Sequence, residues 1–328
     1  MEMTSPLPSL QPKAQHYVPC FYLKGFTDND HVLWVCEKGK PIRKSKPKDE
    51  ANRPDYYTHV ASATRDETAE EFLESSESRA APMILKLANP QFCLTPEKAR
   101  DLYLFVAFMF ARVPSIREYH DVLAATVAKE FQKRQAQDKQ RFHEMYDRFR
   151  KATGEFLETD AEALRQIILA GQYDVIQSST AFNLDTMFDS AFAVLQVIAN
   201  FSYEVLYAPS GSFFVTSDAP VVTILPDGSG KQVNVNVGFG WPDVEVFFPL
   251  NKRACMRLKR GIEPGAIEIN DRGVTQINRV VMACASRHLF SSQGHKRIAR
   301  LFDEYGCTVR PGKESFLPGP IPEPRDTT

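Results

Sequence analysis

The sequence predicts an α+β fold in which a helical N-terminal block packs on a mostly antiparallel C-terminal sheet. Helical patterns fill residues 66–200, and short β-branched or aromatic runs separated by turn residues fill 203–292. Residues 102–110 are apolar on nearly every side of a helix, so other elements must surround them. Helices first and strands later is the element order of an α+β domain.

A short helix and a hairpin are predicted before the helical block. Pro19 suits the first turn of a helix that runs to Phe26. Residues 31–42 alternate as a hairpin around a Lys-Gly turn. Charge and proline predominate in residues 44–53, which predicts a loop.

The helical block is read from its caps and breaks. Asp66 or Thr68 can cap a helix that runs to about Ala88, and Thr95 followed by proline and glutamate starts the next one. Pro114 breaks or kinks the helical pattern after that second helix. The helices predicted after it are a long polar helix or helical pair at 115–151, one capped by Thr159 and closed by Gly171, and one at 182–199.

The pattern changes to that of strands near residue 203. The predicted strands are 203–207, 212–216, 221–225, 232–237, 244–249, 254–258 and 266–269. An antiparallel sheet accounts for them with the fewest assumptions. A helix at 273–285 and a short strand through Leu289 and Phe290 complete the fold.

The two ends of the chain are predicted to be flexible tails. Residues 1–15 contain three prolines and few apolar anchors, and residues 311–328 are rich in Pro, Gly and charge. Residues 16–310 between them are predicted to form a single composite domain. Its helical part covers about 66–200 and its sheet part about 203–292.

Composition and charge exclude several classes of protein. With 43% hydrophobic and 25% charged residues, the chain is not wholly disordered, collagenous or disulfide-stapled. Lys+Arg 40 against Asp+Glu 41 leaves a net charge of −1, so no overall field attracts nucleic acid or anionic lipid. A nucleic-acid partner would therefore need a local basic patch.

Three observations predict a cytoplasmic location without membrane contact. The N-terminal residues lack a basic segment followed by the roughly 7–15 apolar residues of a secretory signal. The longest strongly apolar run, 102–111, is too short to cross a bilayer. The 6 cysteines are scattered singly, without a C-x-x-C pair, as is typical of reduced thiols.

Common catalytic and nucleotide-binding motifs are absent. Residues 228–231 read Gly-Ser-Gly-Lys but lack the leading glycine of a nucleoside-triphosphate loop, and residues 238–240 run into Trp-Pro instead of a helix. Asp243 and Glu245 are spaced as in restriction-type nuclease cores, but Phe247 stands where the lysine is expected. These motifs therefore assign no activity.

Four segments are more specific together than singly. They are His16-Tyr17-Val18-Pro19-Cys20-Phe21-Tyr22-Leu23, Glu77 in the 76–82 helix, Arg112-Val113-Pro114, and Phe214-Val215-Thr216-Ser217-Asp218-Ala219-Pro220-Val221. In this order they resemble the mainly microbial family called domain of unknown function 4238. The likeness covers most of residues 14–292, including the segment 55–58. It implies a shared fold and a shared site, but the family brings no activity with it.

Glu77 is the first candidate site residue. On a helical wheel it falls inside an apolar stripe, whereas Glu71 points to the opposite, solvated side. The stripe consists of Leu73, Ala80, Ile84 and Leu87. A carboxylate on a buried face must be paired, hydrogen-bonded, protonated or metal-bound. Arg112, at the end of the most apolar helix, can form a two-pronged ion pair with it, which would be a structural role.

His16 and Asp218 complete the candidate site. His16 precedes a proline-initiated helix, which leaves its imidazole free to act as a base, a ligand, a cap or a structural group. Asp218 ends a hydrophobic strand before Ala-Pro, where its carboxylate can serve a site or bond to backbone amides. Because these residues come from all thirds of the chain, they must converge in one cavity if they form a site.

Two functions follow from the four residues. The first is a metal-assisted hydrolase, acting on phosphodiester bonds of a nucleotide or nucleic acid with Mg²⁺ or Mn²⁺. In this function the metal ligands are Glu77 and Asp218. His16 is a third metal ligand or the general base, and Arg112 clamps the phosphate. The alternative is a non-enzymatic recognition or regulatory module whose buried polar network of the same residues is structural.

A partner surface is predicted on the long polar helix region, 115–151. Its basic residues are interleaved with acids, so a solvated or partner-packing helix fits better than a nucleic-acid face. Self-association or binding of another protein through this region is the resulting hypothesis.

Overall fold

The computed structural model describes residues 13–61, 64–154, 159–175, 180–226, 232–309 and 315–318. The chain divides into two compact units. The larger comprises Met1–Arg117 with Thr180–Thr328, and the smaller comprises Glu118–Ser179. The composite domain over 16–310 stays a prediction.

The predicted tails are described only in part. Residues 1–12, 311–314 and 319–328 lie outside the described residues. Ala14 and Gln15, at the end of the first predicted tail, belong to a strand, and Gln15 is buried. Ser315–Pro318, within the second, forms another strand.

The helices follow the predicted block closely. In the described residues they are α1 (Cys20–Leu23), α2 (Thr68–Lys86), α3 (Pro96–Ala111), α4 (Pro114–Gln137), α5 (Lys139–Thr153), α6 (Ala161–Ala170), α7 (Thr180–Ile198), α8 (Asp271–Cys284) and α9 (Lys296–Tyr305). Short 3₁₀ turns cover Lys24–Phe26 and Pro47–Asp49. The side chain of Thr95 caps α3 as predicted, accepting from the N–H of Lys98. Pro114 begins a new helix, and because α4 ends at Gln137 and Asp138 caps α5, the polar stretch is a helical pair.

The strands assemble into several sheets. In chain order they are β1 (Ala14–His16), β2 (Leu33–Glu37), β3 (Arg43–Ser45), β4 (Asn52–Pro54), β5 (His59–Ala61), β6 (Thr64–Asp66), β7 (Ser202–Tyr207), β8 (Thr216–Ser217), β9 (Val222–Pro226), β10 (Gln232–Val235), β11 (Glu245–Asn251), β12 (Ala254–Lys259), β13 (Gly265–Glu268), β14 (His288–Ser291) and β15 (Ser315–Pro318). The largest sheet of the described residues has the order β13-β7-β12-β11-β9-β10-β15. Its pairs are antiparallel, except that β13 runs parallel to β7.

A second sheet joins the two ends of the larger unit. Its order is β3-β2-β14-β8, so the N-terminal hairpin pairs with strands from the C-terminal half. The predicted hairpin forms around a left-handed Gly39 (φ 73°), but its second strand, in which Arg43 lies opposite Val35, begins one residue after the predicted end at 42. Two further pairs, β1 with β4 and β5 with β6, stand alone.

Helices cover both faces of the largest sheet. Along β11, Val246 and Phe248 join the core that contains α2, α3 and α7, whereas Phe247 joins the core that contains α8 and α9. This alternation follows from the two-residue period of a strand. The α+β class is therefore confirmed. The apolar helix α3 is buried over most of its length, as its sequence predicts.

Two predicted segments of the larger unit are wrong. The predicted loop at 44–53 contains β4 and part of β3, because the buried Glu50 accepts hydrogen bonds from Arg43 (2.9 Å) and Ser45 (2.5 Å). The charges that suggested a loop bind one another instead. The strand predicted at 212–216 shrinks to β8, because the N–H of Val215 bonds to the Asn278 side chain.

Two helix ends also differ from the prediction. Asp160, rather than Thr159, caps α6, because its carboxylate accepts from the N–H of Ala163 (2.9 Å). Gly171 closes α6 in the left-handed region, as predicted. Helix α9 was not predicted, although its apolar residues recur at helical spacing.

In the residues that the structure describes, no helix has the length and apolarity that a bilayer span requires.

Candidate functional site

His16 ends β1, three residues before Pro19, the N-cap residue of α1. Its Nε2 lies 3.1 Å from the carbonyl oxygen of Lys48. Because a carbonyl oxygen only accepts, Nε2 must carry the proton, and Nδ1 is the unprotonated nitrogen of the neutral ring. The half-buried imidazole therefore donates a hydrogen bond to the backbone of the 3₁₀ turn Pro47–Asp49.

Glu77 and Arg112 form the central ion pair. Nη1 of Arg112 donates to Oε1 of Glu77 at 2.7 Å. The Arg112 side chain is 1% exposed and that of Glu77 is 23% exposed. Helix α2 presents Glu77 on the same face as the buried Leu73 and Ala80, as the helical wheel predicts. Arg112 ends α3 as its C-cap, which fixes its backbone beside the pair.

The rest of the Arg112 guanidinium has few partners. Nη2 lies 2.8 Å from the thioether sulfur of Met109, a weak acceptor, and the cation lies 5.8 Å from the centre of the Phe105 ring. Its buried Nε has no hydrogen-bond partner in the described structure. The Glu77 carboxylate is therefore the main counter-charge of a buried cation.

Tyr57 joins this pair to the His16 segment. Its hydroxyl donates to the carbonyl oxygen of His16 (3.3 Å), and its N–H donates to the side chain of Gln15 (2.6 Å). Burial raises the pKa of Tyr57. The nearby positive charge of Arg112 lowers this pKa, but by less than burial raises it. The Tyr57 phenol is thus protonated at neutral pH and acts as a donor.

Asp218 occupies a separate polar environment. Its carboxylate accepts from the backbone N–H groups of Ser286 (2.8 Å), Arg287 (2.9 Å) and His288 (3.0 Å). Burial raises the pKa of Asp218 to about 6, although the hydrogen bonds from these three N–H groups offset part of the effect of burial. The sequence suggested backbone amides near the turn, but these donors lie 68 to 70 residues away in the chain.

His288 and Glu37 extend the environment of Asp218. Nδ1 of His288 lies 3.8 Å from Asp218, and its Nε2 lies 3.8 Å from Glu37. Burial lowers the pKa of His288, and the Glu37 charge raises it against burial. Hydrogen bonds from Lys40 and Arg287 lower the pKa of Glu37 to about 2. The aspartate therefore belongs to a network on β2 and β14.

The four predicted segments converge, but their side chains do not share one cluster. Val113 and Ala219, the neighbours of Arg112 and Asp218 in the chain, pack in one small apolar group. Burial is the main cause that raises the pKa of Tyr17, and the negative charge of Asp218 raises this pKa further. Among the four candidate side chains, all of them described, hydrogen bonding joins only Glu77 to Arg112.

The donors present do not form a metal centre in the described residues, where no group of three or more His, Cys, Asp and Glu side chains could hold an ion. Arg112 engages Glu77, and backbone N–H groups engage Asp218. The assignment of His16, Glu77 and Asp218 as ligands for Mg²⁺ or Mn²⁺, and of Arg112 as a phosphate clamp, stays a prediction.

Sequence reasoning did not single out Tyr57, His288 and Glu37. Tyr57 could have been found, because it lies in the segment 55–58 that shares in the family resemblance. His288 and Glu37 carry no local signal. Their role arises from the antiparallel pairing of β14 with β2, which places them opposite each other.

Of the comparisons with known proteins, one gives a match, to a family profile. No curated protein and no solved structure matches the chain. The family profile described as "Protein of unknown function (DUF4238)" matches residues 14–295, which contain all four candidate segments. The chain therefore belongs to the DUF4238 family of proteins of unknown function.

Proposed function

We propose that this protein is a non-enzymatic recognition or regulatory module whose polar contacts at Glu77, Arg112 and Asp218 are structural. One observation carries the proposal: both acids considered as metal ligands already accept hydrogen bonds from the protein itself. To bind a cation, either carboxylate would have to give up these hydrogen bonds. The free energy lost with them weakens the binding of the cation. A cytoplasmic location stays a prediction.

A second candidate function is the metal-assisted hydrolase of phosphodiester bonds. One feature favours it: Arg112 bonds only to Oε1 of Glu77, and the Glu77 side chain keeps 23% of its surface exposed. Oε2 could therefore accept a divalent cation. Nδ1 of His16 is likewise unprotonated in the neutral ring and can act as a ligand or base.

A melting comparison separates the two functions. The wild type and the Glu77→Gln variant are heated with and without millimolar Mg²⁺ or Mn²⁺. Glu71→Gln is the matched control, because Glu71 is an exposed acid on the same helix. A structural role predicts that Glu77→Gln lowers the melting temperature, that Glu71→Gln does not, and that metal changes neither value.

The hydrolase predicts a different pattern. Metal would raise the melting temperature of the wild type and not that of Glu77→Gln. The wild type would also cleave bis-p-nitrophenyl phosphate in the presence of Mn²⁺, and Glu77→Gln would not. Metal-dependent stabilisation together with this cleavage would overturn the proposal of a non-enzymatic module.

A further inference from the structure

A cleft of about 520 Å³ opens in the larger unit, and none of the four candidate site residues lines it. It lies between α8, the start of α9 and the segment 211–215. Its volume falls in the range of about 300–1,000 Å³ that is typical of sites for small molecules.

The wall formed by residues 211–215 is fixed without a ligand. The Asn278 side chain donates to the carbonyl of Phe213 (2.9 Å) and accepts from the N–H of Val215 (3.0 Å). Arg253 donates to the carbonyl of Ser212 at 2.8 Å. A wall held by such bonds is preorganised, which reduces the entropy lost when a ligand binds.

Two arginines supply the charge of the cleft. Arg279 lies on α8 with its guanidinium 5.0 Å from the centre of the Tyr305 ring, and its buried Nε has no hydrogen-bond partner in the described structure. Arg297 lies exposed in the first turn of α9. No salt bridge among the described residues involves either arginine.

The acid in the lining offsets only part of this charge, because two arginines face one carboxylate. Among the described lining residues the acid is Asp271, and it accepts a hydrogen bond from the Ser212 hydroxyl at 2.5 Å. The first turn of α9 contains no acid, so its N–H groups add to the positive potential. An arginine with donors to spare matches the geometry of a carboxylate or phosphate.

Apolar side chains form the remaining surface of the cleft. They are Phe213, Val215, Val274, Met282, Ile298 and Leu301. A ligand that fits this lining has an oxyanion group at one end and an apolar body. A bare inorganic ion would leave the apolar surface in water.

We infer that the cleft between α8 and α9 binds a small organic anion. Its phosphate or carboxylate group lies between Arg279 and Arg297, and its apolar part lies against the side chains of α8 and α9. The inference does not depend on the function proposed above, because none of its residues belongs to that site.

The experiment is a fluorescence titration of the full chain with the amphipathic anion 8-anilinonaphthalene-1-sulfonate. The double variant Arg279→Gln/Arg297→Gln should bind this probe about tenfold or more weakly than the wild type, because it loses two charged donors. Binding of the uncharged N-phenyl-1-naphthylamine should not change. Arg272→Gln, an exposed arginine on α8 that does not line the cleft, is the matched control.

Displacement of the bound probe distinguishes the two oxyanions. Phenyl phosphate that displaces the probe from the wild type identifies a phosphate ligand, and phenylacetate that does so identifies a carboxylate. Equal probe affinity in the double variant and the wild type, or no displacement by either anion, would overturn the inference. If the double variant melts early, Arg297→Gln alone carries the same test at an exposed position.

Discussion

Arg112 and Glu77 form an ion pair of unequal burial: the Arg112 side chain is 1% exposed, and the Glu77 side chain that neutralises it is 23% exposed. The inequality has an energetic consequence. Loss of the carboxylate leaves a buried cation without its counter-charge, whereas loss of the guanidinium leaves an acid that water can reach. The pair joins the C-terminal end of α3 to the middle of α2, the two helices that hold the core against the largest sheet.

Tyr22 provides the first prediction. Its hydroxyl donates to the carbonyl of Pro249 (2.6 Å) and so accepts from the hydroxyl of Thr216 (2.8 Å), linking α1 to strands of two sheets. Tyr22→Phe leaves both buried groups without this partner, and we expect a loss of about 1–3 kcal/mol in the free energy of unfolding.

Tyr173 is the control for that measurement. Its buried hydroxyl has no hydrogen-bond partner in the described structure, so Tyr173→Phe removes no such bond and should leave the free energy of unfolding unchanged or raise it. Urea unfolding of both variants measures the difference. Equal losses would show that the Tyr22 hydroxyl does not stabilise the junction of the two sheets.

Asp218 predicts a pH dependence. Its pKa is about 6 in the folded protein and near 3.8 when unfolded, so the native state holds a proton that the unfolded state has lost. The stabilisation that protonated Asp218 contributes to the free energy of unfolding is fully present below about pH 3.8. It amounts to about 3 kcal/mol and is lost as the pH rises through 6.

The measurement is the free energy of unfolding of the wild type minus that of Asp218→Asn, from pH 4 to pH 7. The difference should fall with pH in that window. Because His288 lies 3.8 Å from Asp218, both proteins carry His288→Gln, which keeps the titration of His288 out of the difference. A difference that rises with pH would mean that the three backbone donors outweigh burial and lower the pKa of Asp218.

Self-association through the region 115–151 is the third prediction. On α4, Leu123, Val127 and Phe131 recur every four residues and are 45%, 61% and 62% exposed. An exposed apolar stripe of this kind on a helix favours packing against a second copy of the same helix.

Sedimentation velocity tests it. The wild type should form dimers in the micromolar range, and Val127→Lys/Phe131→Lys should be monomeric at the same concentration. Thr126→Lys adds a charge at an exposed position on a neighbouring face of α4 and should leave the dimer intact. A wild type that stays monomeric throughout that range contradicts the prediction.

Local patterns predicted those elements whose stability is local. Thr95 caps α3 by a bond three residues away, and the wheel of α2 placed Glu77 on the buried face because helical periodicity alone decides that face. The pairing of Glu77 with Arg112 was predicted because a buried carboxylate requires a partner, although the structure shows one hydrogen bond, from Nη1 to Oε1, instead of a two-pronged pair.

Long-range pairing set the features that the sequence did not reveal. The donors to Asp218 come from residues 286–288, and their position depends on the register of β14 against β2 and β8. Parallel pairing of β13 with β7 depends in the same way on the course of the chain. Helix α9 differs, because its apolar residues have the local spacing that predicts a helix; they are Ile298, Leu301, Phe302 and Tyr305.

The most direct test of the central claim is the coupling energy between Glu77 and Arg112. It is measured by urea unfolding of the wild type, Glu77→Gln, Arg112→Met and the double variant, with and without Mn²⁺. A structural pair predicts a coupling of about 2–3 kcal/mol that Mn²⁺ does not change. A coupling below about 0.5 kcal/mol, or one that depends on the metal, would contradict the account.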